Sequence, residues 1–111
     1  MSNCPFCNIL AGTEPGKIIA RDNDNDFVMI QALHPEGAIH WLAMPAEHVD
    51  STEALEQNDH GRFLDLLDFA LTSTRDQADD YPDIAHGFTI KFHTGTFETV
   101  PHAKLHILST E

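Results

Sequence analysis

Hydrophobic and polar positions alternate with period two at residues 102–107. His102, Lys104 and His106 interleave with Ala103, Leu105 and Ile107, the pattern of a half-buried strand. Residues i, i+2 and i+4 of a strand share a face, so two imidazoles and one amine are expected in a row. A second alternating stretch covers 87–93, with Phe88, Ile90 and Phe92 set inward and Thr89, Lys91 and His93 outward. Shorter apolar runs at 17–21, 27–31 and 38–44 read as three more strands. The first two are joined by an Asp/Asn turn at 22–26, and the third is stopped by Pro45. Phe63, Leu64, Leu66, Leu67, Ala70 and Leu71 follow helical spacing and predict an amphipathic helix over 59–78. A short helix fits 4–11, with Pro5 near its start and Gly12 as its stop. Asp50, Ser51 and Thr52 offer an N-cap, and Asp50 with Glu53 spells a capping box, for a further turn before Asn58 and Asp59 restart the helix. Consecutive strands on hairpin-length links predict a largely antiparallel sheet with helices beside it, an α+β fold in one domain spanning 1–111.

Composition narrows the function. No run of about 18 apolar residues is present, so no transmembrane helix is expected. The N-terminal stretch lacks a basic region and an apolar core, so a signal peptide is not expected either, and the default location is cytoplasmic. Eighteen acidic side chains against six basic ones give a net charge of −12. That argues against nucleic acid or an anionic membrane as partner, since both need a basic patch. Only Lys17, Lys91 and Lys104 are lysines, which makes Lys104 a poor choice for surface filler.

Cys4 and Cys7 are the two cysteines and form one Cys-x-x-Cys. A disulfide there would close too short a loop to stabilise much. A thioredoxin-type pair normally follows a strand, and only three residues precede Cys4. Half of a zinc site is the third option, which requires two more ligands. His40, His48, His93, His102 and His106 are the available imidazoles, and spacing alone does not choose among them. His60 and His86 fit the surface, and His34 before Pro35 fits a turn.

Three segments together carry a resemblance. Cys4-Pro5-Phe6-Cys7-Asn8-Ile9-Leu10-Ala11-Gly12 is similar to the opening of histidine triad (HIT) proteins. Pro35 to His40-Trp41-Leu42-Ala43-Met44-Pro45-Ala46-Glu47-His48, followed by Ser51, resembles that family's central segment. Thr99-Val100-Pro101-His102-Ala103-Lys104-Leu105-His106-Ile107-Leu108 resembles its triad strand. The resemblance implies a five-stranded antiparallel sheet with one short and one long helix, usually dimerised. It implies a pocket for a purine nucleotide or other small phosphorylated ligand, and hydrolysis or transfer at the α-phosphate. In the zinc-bearing, Hint-like branch it implies structural Zn2+ held by Cys4, Cys7, His48 and His102. It places His106 near the phosphate oxygens, His40 beside the triad, and Leu33, Lys91, Glu98 and Thr99 at the substrate.

This chain departs from the pattern at the middle triad position, where Lys104 replaces the attacking histidine. An amine attacks only as the free base, and at an ordinary lysine pKa of about 10.4 little of it is neutral near pH 7. Gln31-Ala32 stands where the family commonly has a ribose-gripping Asp, and Phe97-Glu98-Thr99 where it has Gly-Gln-Ser. A Glu98–Lys104 ion pair is one structural account of both residues. Three functions are therefore open. The first is a nucleotide-binding protein whose turnover is lost or altered. The second is an active phosphoramidate hydrolase or nucleotidyltransferase using Lys104 with His106 and His40. The third is a non-catalytic interaction module.

Overall fold

The computed structural model describes residues 3–109. Met1, Ser2, Thr110 and Glu111, the ends of the expected 1–111 domain, lie outside the described residues. Strands β1 (Ile18–Asp22), β2 (Phe27–Gln31), β3 (His40–Pro45), β4 (Phe88–Lys91) and β5 (Leu105–Ser109) form one sheet in the order β1-β2-β3-β5-β4. Every neighbouring pair is antiparallel. The last strand in the chain thus lies inside the sheet, with His106 opposite Leu42 of β3 and Lys91 of β4.

Both faces of the sheet are covered. On one, Phe27, Met29, Trp41, Ala43, Leu105 and Ile107 pack under Phe63, Leu66, Phe69 and Ala70 of the long helix, residues 60–76. The other carries Val28, Ile30, Leu42 and Met44 against Cys4, Phe6 and Ile9. Those last residues belong to or precede helix α1 (Pro5–Ala11), which Gly12 ends in the left-handed region at φ 83°. A glycine adopts that conformation without steric cost, and its N–H satisfies the carbonyls of Asn8 and Ile9. The alternation of β5 therefore divides a core face from a polar face that turns toward α1.

Four expectations need adjusting. Residues 52–58 form a helix of two turns, α2 (Thr52–Asn58), so there are three helices where one short and one long were expected, the long helix being α3 (His60–Asp76). Of the candidate N-caps Ser51 is the one used, its hydroxyl accepting from Ala54 N–H, while the capping box of Asp50 with Glu53 does not form, because the Asp50 carboxylate accepts from His48. Phe92 lies beyond the end of β4 and is 42% exposed, its ring set edge-on against Phe63. Finally β5 starts at Leu105 and not at His102, because the preceding backbone bonds elsewhere. Ala103 N–H donates to Val49 O, and Lys104 N–H to Thr52 Oγ1.

Candidate metal centre and ligand pocket

Two groups of functional side chains meet on the α1 side of the sheet. The first begins at the N-cap of α1, where Cys4 Sγ accepts from Cys7 N–H. This capping turn brings both sulfurs to one side. Cys4 Sγ lies 3.4 Å from His102 Nδ1, and Cys7 Sγ lies 3.3 Å from His48 Nδ1 and 3.6 Å from His102 Nδ1. All four donor atoms fall within 4.8 Å of one another. A tetrahedral zinc with thiolate and imidazole ligands separates sulfur from nitrogen by about 3.5 Å, so the set is already near metal-binding geometry.

The outer hydrogen bonds fix which nitrogen faces the sulfurs. His102 Nε2–H donates to Pro45 O at 2.9 Å, and His48 Nε2–H to Asp50 Oδ1 at 2.8 Å. Each leaves an Nδ1 lone pair toward the thiols, the arrangement that orients histidine ligands. Burial, the largest effect on His102, holds its pKa below the usual histidine value, and the Pro45 carbonyl opposes it. A neutral imidazole is the ligating form.

The second group lines a cavity of about 580 Å³ beside this cluster. Phe6, Leu33, Leu42, Phe97 and Val100 supply apolar wall, and Glu36, His40, His93, Glu98, Lys104 and His106 supply polar groups. Lys104 is 5% exposed. Its Nζ donates to Val100 O at 2.9 Å, lies 3.9 Å from Glu98 Oε2, and sits 5.1 Å from the centre of the Phe6 ring. Burial pushes its pKa down, while Glu98 and then Cys4 push it up. Glu98 is held in turn: Thr52 donates to its carboxylate from N–H and, at 2.8 Å, from Oγ1.

The imidazoles form a directed chain. Glu36 N–H donates to His40 Nδ1 at 3.1 Å, so His40 carries its proton on Nε2 and donates to His106 Nδ1 at 3.0 Å. His106 then keeps its proton on Nε2. Burial, followed by the neighbouring His40 and His93, pushes the His106 pKa down to about 4. Burial likewise lowers His40. Both are neutral near pH 7, able to pass hydrogen bonds but not to supply fixed positive charge.

The structure thus brings Cys4, Cys7, His48 and His102 into one cluster, and Lys104, His106, His40, Glu98, Thr99 and Leu33 around one pocket. Lys91 stands on the edge strand, outside the pocket wall, 3.6 Å from Glu36. Sequence reasoning missed Thr52, Phe6 and the Val100 carbonyl. Thr52 carried a signal only as a helix-start residue, and a backbone acceptor carries none. A further cavity of about 600 Å³, lined by the β1–β2 turn and by Asp65, Asp68 and Thr72 of α3, holds no comparable constellation.

The family model described as "Scavenger mRNA decapping enzyme C-term binding" matches residues 3–111. A mouse (Mus musculus) protein named adenosine 5'-monophosphoramidase HINT3 is 28% identical over 110 residues, 97% of this chain and 64% of its own length. The zebrafish (Danio rerio) protein of the same name is 29% identical over 107 residues, again 64% of its own length. The chain therefore spans less than two thirds of these relatives. A HIT family hydrolase from Clostridium thermocellum superposes with a TM-score of 0.80 at 22% identity, covering 100% of this chain and 93% of its own. A histidine triad protein from Clostridium difficile does so with a TM-score of 0.79 at 22% identity and the same coverage.

Proposed function

Because the chain belongs to the scavenger decapping enzyme C-terminal family of the histidine triad superfamily, we propose that its pocket binds a purine nucleotide-class ligand without turning it over at the α-phosphate. One observation carries the second half of that reading. The side chain at the attacking position is an amine whose Nζ is spent on the Val100 carbonyl and the Glu98 carboxylate. Attack on phosphorus needs a lone pair aimed into the pocket. To present one, Lys104 would have to give up its proton against the pull of the Glu98 carboxylate, which favours the charged form and is anchored in place by Thr52.

Zinc is the metal we assign to Cys4, Cys7, His48 and His102. Two thiolates and two imidazoles are the donor set that zinc favours, and four protein ligands leave no open position for catalysis. When bound it would supply cross-linking, tying α1 to the segment after β3 and to the approach of β5. The Cys4 and Cys7 thiols would release their protons to solvent and bind as thiolates, and His102 would hold the segment leading into β5 from behind. A homodimer in the cytoplasm, with neither nucleic acid nor membrane as partner, completes the reading. No helix among the described residues is long and apolar enough to cross a membrane.

A second reading, an enzyme of altered chemistry, is favoured by one feature: burial lowers the Lys104 pKa and so brings the free base within closer reach. One experiment separates the two. The relatives bear the name of an adenosine 5'-monophosphoramidase, so purified protein is offered adenosine 5'-phosphoramidate. Product is followed by chromatography and the protein by intact mass. The binding-only reading expects product at the background rate and no adduct. Enzyme-like turnover abolished by Lys104→Ala overturns it, and a stable nucleotidyl adduct on Lys104 establishes the second reading.

A further inference from the structure

The fixed charges around the pocket do not suit a phosphate. Among the described residues the wall carries two carboxylates, Glu36 and Glu98, against one amine, Lys104, and no arginine. Lys104 is already matched by Glu98 at 3.9 Å, both side chains being under a tenth exposed. Counting Lys91 adds nothing, because it is matched by Glu36 at 3.6 Å. His40 and His106 are bound to one another as neutral rings. The two carboxylates and two amines thus balance, leaving no uncompensated cation, and a neutral Lys104 amine would leave Glu98 uncompensated. A net charge of −12 on the whole chain adds a repelling field for any anion.

The remaining wall favours an uncharged, flat ligand. Phe6 and Phe97 offer aromatic faces, and Leu33, Leu42 and Val100 offer aliphatic ones. Phe97 is 76% exposed, so its ring is open to contact with a ligand at this wall. The His40–His106 chain supplies hydrogen-bonding groups suited to hydroxyls.

Resting on the nucleotide-class reading above, we infer that the pocket selects a neutral nucleoside over the corresponding nucleoside monophosphate. Phosphate selection in a buried site calls for uncompensated cations or aimed backbone donors. Here the one buried cation is neutralised by a carboxylate that the fold itself holds in place. A phosphate dianion would have to approach the buried Glu98 carboxylate, and like charges brought together away from water repel.

The test is calorimetric titration of the full chain with adenosine and with adenosine 5'-monophosphate at one fixed salt concentration. Adenosine is expected to bind at least about tenfold more tightly, a difference of about 1.4 kcal/mol. Glu98→Gln keeps an acceptor for Thr52 but frees the Lys104 charge, and should shift the preference toward the monophosphate. Should that variant fail to fold, Glu36→Gln at the exposed rim is expected to move the ratio the same way. Equal or tighter binding of the monophosphate by the unmodified chain overturns this inference and leaves the nucleotide-class reading standing. No binding of either compound at millimolar concentration overturns both.

Discussion

Lys104 and Glu98 show how a single buried amine draws in its surroundings. The Glu98 carboxylate accepts from Thr52 N–H and Oγ1 and stands against a buried ammonium. Glu98→Ala removes that whole set and leaves a charge in low dielectric. The expected cost is about 2–4 kcal/mol in urea denaturation. His106 gives a second prediction. Its pKa falls from 6.5 in the unfolded chain to about 4 in the folded one, so below 6.5 the unfolded state binds more protons. Its contribution to stability is complete above about pH 6.5 and is lost as pH falls toward about 4, at up to about 1.4 kcal/mol per pH unit. The imidazole resonances of His106 should stay unprotonated down to about pH 5, and His106→Gln should flatten the acid limb of the stability profile. Scarcity of lysine and the alternating pattern were enough to single out Lys104 from sequence. Its pairing with Glu98 was legible as well, and the structure shows it; what was hidden is the Val100 main-chain carbonyl that accepts from it and the Thr52 that holds Glu98.

Helix α1 has seven residues, too few to persist in water on its own. Its order depends on Phe6 and Ile9 buried against the sheet and on Cys4 and Cys7 facing His102 and His48. Treating zinc-loaded protein with a strong chelator should lower its melting temperature. Amide exchange of Asn8, Gly12 and Thr13, whose N–H groups close this turn, should speed up far more than that of β2 and β3. Equal exchange with and without chelator would remove the metal from the account of α1. The elements themselves were largely readable, since Pro5 and Gly12 punctuate the helix and period-two patterns mark the strands. Their ends were less so. Helix α2 was underestimated because its apolar content is low, and only Thr52 and Leu55 are buried in it. The start of β5 depends on where Val49 and Thr52 sit in space, which no local pattern records.

Across the whole molecule the acid excess sets a different expectation. With a net charge of −12, folding gathers mutually repelling carboxylates onto a small surface, and dissolved salt screens that repulsion. Raising sodium chloride from about 0.05 M to about 0.5 M shortens the screening length from roughly 14 Å to roughly 4 Å. The melting temperature should rise by several degrees, and a fall would show that local ion pairs such as Arg62–Glu47 outweigh the general repulsion. Composition alone exposed this feature, and the sequence already suggested the pairing of Lys104 with Glu98, whereas that of Lys91 with Glu36 needed the fold.

The two faces of residues 102–107 bear on how such a site can change over generations. Ala103, Leu105 and Ile107 are fully buried in the core, and His102, Lys104 and His106 look the other way. Inserting or deleting one residue there would exchange core and site together, so lineages can explore this stretch only by point replacement. Position 104 itself lies on the pocket side of that division, so Lys104→Arg, →Gln or →His would each present a different chemistry to the pocket while leaving Ala103 and Leu105 in the core.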